Sequence, residues 1–168
     1  MKRLRSILTR MGLKLNEQKT RQVQAKDTAF NFLGFTIRYD KDIYGGNNRY
    51  WNIIPGAKSE NKIREKIREF LRRYGHYNPR QVAEGLNTIL RGWLNYFDIP
   101  GTSYPAMSKR AIRYYLVESL NRYYNRKSQR RSRLYGAQAF DLLVYKYGLI
   151  EPTKYKVIAR KGSYHGVT

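Results

Sequence analysis

Between Pro79 and Phe97 the apolar residues Val82, Leu86, Ile89, Leu90, Trp93 and Phe97 recur with the three-and-four spacing of one buried helix face. Asn78 followed by Pro79 is a start signal: a capping side chain, then a residue whose missing N–H costs nothing in the first turn. The opposite face carries Arg80, Asn87, Arg91 and Asn95, side chains able to donate to phosphate or sugar. A second helix is predicted from about Glu60 to Arg73, capped by Ser59 and ended by Gly75, with Ile63, Ile67, Phe70 and Leu71 on one side. Lys62, Arg64, Lys66, Arg68 and Arg72 cover its remainder. A third helix runs from about Ala106 to Lys127 along Ile112, Leu116, Leu120 and Tyr123, and a shorter one spans Ala137 to Tyr147 and stops at Gly148.

The first quarter of the chain has a different rhythm. Leu4, Ile7, Leu8 and Met11 mark a short helix over residues 3–11 that Gly12 ends. Leu13-Lys14-Leu15 alternates like a strand, and residues 16–20 read as a polar turn. Phe30 to Ile37 is aromatic and β-branched, one strand by composition; Tyr44 to Asn48 is a hairpin turn, and Arg49 to Ile54 the return strand. Pro55-Gly56 breaks the β region. The expected fold is therefore α+β and mainly helical. A small β-hairpin piece over 1–57 precedes a three-helix bundle with a short C-terminal helix over 58–150, and 151–168 form a ragged basic tail.

Charge sharpens this picture. The 168 residues carry 34 Lys plus Arg against 12 Asp plus Glu, a formal charge of +22, which points to a polyanionic partner. From Lys109 to Arg133 there are nine basic residues and one acid, Glu118, so the third helix and its following link extend the basic surface. The expected nucleic-acid contacts are Lys62, Lys66, Arg72, Arg73, Arg80, Arg91, Arg110, Arg113, Arg122, Arg126, Lys127, Arg130, Arg131 and Arg133. Tyr74, Tyr96, Tyr123 and Tyr124 are the rings expected to stack on bases, whereas Trp93 belongs to the apolar stripe.

Self-sufficient catalysis finds no support. Cysteine is absent and the two histidines, His76 and His165, are far apart, so no disulfide framework and no thiolate or histidine metal site is expected. Asp40 and Asp42 are the nearest pair of carboxylates, and they read as a solvated turn rather than a two-metal centre. No run approaches the roughly 18 apolar residues of a membrane helix, and the basic start Met1-Lys2-Arg3-Leu4-Arg5 lacks a signal peptide's apolar core. The expected setting is intracellular, cytoplasmic or organellar.

Three stretches in order resemble group II intron reverse transcriptase/maturases. Gly12-Leu13-Lys14-Leu15-Asn16-Glu17-Gln18-Lys19-Thr20 is similar to the late palm motif, Phe32-Leu33-Gly34-Phe35 to the primer-grip hairpin, and Leu90-Arg91-Gly92-Trp93-Leu94-Asn95-Tyr96-Phe97 to the hallmark of the thumb, or X, domain. Lys146 to Ile150 resembles that domain's close. The resemblance implies that 1–57 is the end of a palm and 58–150 a thumb. It places Lys19 near an incoming nucleotide and Phe32, Leu33, Gly34 and Phe35 at a primer end. The family's Tyr-x-Asp-Asp lies upstream of the matching segment, so no catalytic residue is assigned here. The implied partners are structured intron RNA, an RNA/DNA duplex and a separate fingers/palm chain. No cofactor is expected in this chain, Mg2+ belonging to the complete polymerase or to the RNA.

Overall fold

The computed structural model describes residues 2–14, 24–42, 46–74, 76–125, 134 and 138–157, with side chains from Ser6 onward. In order these form α1 (Lys2–Arg10), β1 (Phe30–Phe32), β2 (Phe35–Lys41), β3 (Arg49–Pro55), α2 (Ala57–Tyr74), α3 (Pro79–Phe97), α4 (Ala106–Tyr124) and α5 (Ala139–Tyr147). The architecture is α+β and mainly helical: a three-stranded antiparallel sheet in the order β1-β2-β3, followed by packed helices.

The sheet departs from expectation at one point. Residues 30–37 are not one strand but two, joined at Leu33-Gly34, with Phe32 registered opposite Phe35. Both turn residues are left-handed, φ +48 at Leu33 and +83 at Gly34, the twist that matches a two-residue hairpin. Gly34 is there for space as well as φ: a Cβ would lie 2.9 Å from Ser59 Oγ and 3.3 Å from the Phe97 ring. Leu13 and Lys14 form no strand.

Helix α3 is central because its apolar residues face two ways. Val82, Ala83, Leu86, Leu90, Trp93, Leu94 and Phe97 are buried. They meet Ile63, Ile67 and Leu71 of α2, Ile112, Leu116 and Leu120 of α4, and Phe140 and Leu143 of α5 in one core. Each fully buried leucine contributes about 2 kcal/mol relative to exposure. Phe35 plugs the sheet onto this core, its ring 4.9 Å from that of Phe97. Gly85 lets α2 approach closely, since a Cβ there would fall 2.2 Å from the Phe70 ring.

The predicted start of α3 is present as a full capping box: Asn78 Oδ1 accepts from the Gln81 amide, and Gln81 Oε1 accepts from the Asn78 amide. Ser59, by contrast, does not cap α2. That helix begins at Ala57, the Gly56 carbonyl takes its first hydrogen bonds, and the Ser59 hydroxyl donates to the Gly34 carbonyl at 2.9 Å. Helix α4 ends at Tyr124 rather than at 127, and α5 starts at Ala139.

Residues 151–157 are anchored instead of ragged. Pro152 is fully buried, the Tyr155 hydroxyl donates to Asn95 Oδ1 at 2.9 Å, and the Tyr155 carbonyl accepts from Lys109 Nζ at 3.1 Å. Lys109 also forms a largely buried ion pair with Asp98, tying the end of α3 to the start of α4.

Candidate nucleic-acid interface

A groove of about 640 Å³ lies where the β1–β2 turn meets α2 and α3. The turn contributes Leu33 and Gly34; α2 contributes Ser59, Lys62, Ile63 and Lys66; α3 contributes Thr88, Ile89, Gly92, Trp93, Tyr96 and Phe97. Three hydrogen bonds hold its walls. Gly34 O accepts from both the Gly56 amide and Ser59 Oγ, and Leu33 O accepts from the Tyr96 hydroxyl at 2.9 Å. The floor is apolar. The cationic rim comes from Lys62 and Lys66, one helical turn apart, both exposed and without an ion pair among the described residues. Gly92 leaves the α3 wall open, since a Cβ there would meet nothing within 4 Å.

The primer-grip-like residues divide between surface and core. Phe32 and Leu33 are 60% and 67% exposed at the tip, while Phe35 is buried beneath Tyr96 and Phe97. Lys19 lies outside the described residues, as do Arg126, Lys127, Arg130, Arg131 and Arg133.

The other basic residues are not gathered at the groove. Arg72, Arg80 and Arg91 are exposed and unpaired among the described residues. Arg73 sits 3.9 Å from Glu69, and Arg122 3.9 Å from Glu118, exposed pairs of little energetic weight. Arg113 lies over the Phe140 ring and bonds Glu151 at 3.1 Å, so part of its charge is used internally. Arg110 lines a separate cleft with Asp98, Lys109 and Thr153.

Two of the polar positions read as RNA donors are structural. Asn87 Nδ2 donates to the Gly148 carbonyl at 2.8 Å and its Oδ1 accepts from the Ile150 amide at 2.7 Å; Asn95 holds Tyr155. Tyr124 is no stacking platform either. It takes the buried place on α4 that the spacing assigned to Tyr123, and burial, then its neighbours Tyr123 and Tyr147, push its phenol up to about 12. Tyr74 is half-buried against Phe70 and Tyr77, while Tyr96 is half-exposed on the groove wall. Asp40 is on β2, not in a turn, paired with Arg38 at 3.0 Å and accepting from Asn52 at 2.7 Å. Among the described residues no three His, Asp or Glu side chains come together as metal ligands, and no helix is long and apolar enough to cross a membrane. The residues missed from the sequence were Thr88 and the open side of Gly92. A glycine in the middle of a strong helix was the available signal.

Comparison with curated proteins and with solved structures gave no match. Residues 60–136 match the family model of the group II intron, maturase-specific domain. That span takes in nearly all of α2 and the whole of α3 and α4, the helices whose hallmark stretch Leu90–Phe97 carried the resemblance. This match is consistent with the C-terminal domain of a maturase.

Proposed function

We propose that this chain binds folded group II intron RNA and holds it in a splicing-competent shape, the RNA supplying the chemistry. The observation that carries the reading is the groove between the matched helices and the β1–β2 turn: an apolar floor with Lys62 and Lys66 unpaired among the described residues at its rim and the α3 backbone accessible at Gly92. Unpaired lysines meet phosphates without first giving up an internal partner, and each contact releases counterions. The open helix backbone and the Thr88 and Tyr96 side chains suit the shape and 2′-hydroxyls of RNA better than base edges.

The test is binding of the purified chain to a structured group II intron RNA across a range of salt, with same-length duplex DNA and unrelated RNA as competitors. Preference for the intron RNA that survives moderate salt is expected. Equal competition, with binding that vanishes as salt rises, would reduce the activity to nonspecific attraction.

A second reading has its own observation. Helix α1 leaves Ile7 46% exposed, and Met11 and Leu13 beyond it are 67% and 52% exposed. An apolar strip on so short a helix fits docking onto a separate fingers/palm chain carrying the catalytic aspartates. Mixing the two chains should then give a stable complex and RNA-templated DNA synthesis; failure of both would sink this reading.

A further inference from the structure

The sheet carries a second surface, outside residues 60–136. Tyr39 on β2 and Trp51 on β3 are registered opposite each other, their rings 4.9 Å apart and tilted by 46°. Trp51 is 41% exposed, although a tryptophan of its size would ordinarily be drawn into the core. Two cations lie against the Tyr39 ring of this pair. Lys26 Nζ and Arg49 Cζ each lie 5.9 Å from the centre of the Tyr39 ring, and Lys41 is registered opposite Arg49 at the end of the same face.

The acid of these strands points the other way. Asp40 is held by Arg38 and Asn52 on the opposite face, so it does not neutralise the cluster. Asp27, next to Lys26 in sequence, is exposed. A cross-strand aromatic pair needs no flanking cations to stabilise a hairpin. An exposed indole beside a tyrosine ring that carries two cations, with a third cation registered on the same face, is instead complementary to a π-face joined to a phosphate.

We propose that the Tyr39–Trp51 face, with Lys26, Lys41 and Arg49, is a binding site for single-stranded nucleic acid, one base stacking on Trp51 and its flanking phosphates held by the three cations. Single strands are selected because a paired base cannot offer its face to a ring. The site is separate from the α2–α3 groove and stands or falls independently of it.

The chain reports on this site directly, since it has two tryptophans and the other, Trp93, is buried. Trp93→Phe removes an indole N–H that has no partner among the described residues and leaves Trp51 as the sole tryptophan, excited selectively above the tyrosine absorption band. Titration of this variant with a single-stranded uridine 12-mer should quench Trp51 emission saturably, and a duplex of the same length should not. If Trp93→Phe does not fold, protection of the native chain's exposed tryptophan from acrylamide by the same 12-mer is the readout. By anisotropy of the labelled 12-mer, Trp51→Ala should bind about tenfold or more weakly. Trp51→Phe, keeping a ring and the hairpin, should retain most of the affinity. Replacing Lys62 and Lys66 by Ala should leave the quenching intact. Absence of quenching and of protection, equal quenching by duplex, or unchanged affinity in a folded Trp51→Ala chain would overturn the assignment.

Discussion

An alanine at Gly92 would meet no atom within 4 Å, whereas one at Gly85 would lie 2.2 Å from the Phe70 ring, although both glycines sit inside α3. Gly92→Ala should therefore raise stability by about 0.5–1 kcal/mol, the helix propensity difference, measured by urea unfolding. The same methyl narrows the groove, so the stabler variant should bind intron RNA less tightly. Equal or tighter binding would remove the α3 wall from the RNA surface. Gly85→Ala should lose about 1–3 kcal/mol because the Phe70 ring has to move. At Tyr124 the buried hydroxyl finds no partner among the described residues. Tyr124→Phe should be neutral or slightly stabilising at pH 7. Its phenol is raised from about 10 to about 12, so the folded state favours the protonated form and the unfolded state releases the proton first. That stabilisation is complete below pH 10 and is lost as pH rises toward 12. Unfolding curves of the wild type and Tyr124→Phe should diverge in this window, the wild type falling faster; parallel curves would contradict the shift.

At the scale of elements, the helices were legible because each buries a stripe whose spacing survives in the chain: Ile63, Ile67 and Leu71, or Ile112, Leu116 and Leu120. The β1–β2 turn was not, because a period of two continues across Phe30–Ile37 while the reversal rests on left-handed φ values, one of them at a leucine. Ser59 looked like a cap because caps are local signals, yet its partner, Gly34, lies 25 residues earlier. Asn87 and Asn95 sit on the polar face and were read as facing solvent; their partners are about 60 residues away, beyond the reach of any local pattern. Since Asn87 satisfies both Gly148 and Ile150, Asn87→Ala should cost about 2 kcal/mol. Hydrogen exchange should quicken over residues 148–155 in particular. A uniform loss of protection would mean that Asn87 does not act through this junction.

For the whole molecule, the net charge of +22 pointed to a polyanion, and the structure adds how the cations are spent. Arg113 and Lys109 serve the fold; Lys62, Lys66 and Arg91 remain outward. Composition cannot separate these two groups, because pairing depends on acids such as Glu151 and Asp98 that tertiary packing brings in. Arg130, Arg131 and Arg133 belong to the sequence argument alone. Replacing all three by Ala should weaken RNA binding and reduce the slope of log affinity against log salt by about 2–3. An unchanged slope would take that link out of the interface. The long-range bonds made by α3 also constrain the order of synthesis. The sheet leaves the ribosome before the helix that receives it, since Leu33 waits 63 positions for Tyr96. Asn87 in turn waits 61 positions for Gly148. A nascent chain halted between these points would present a finished hairpin docked on a helix whose other side is still bare. That intermediate is sticky, and chaperone capture should peak there.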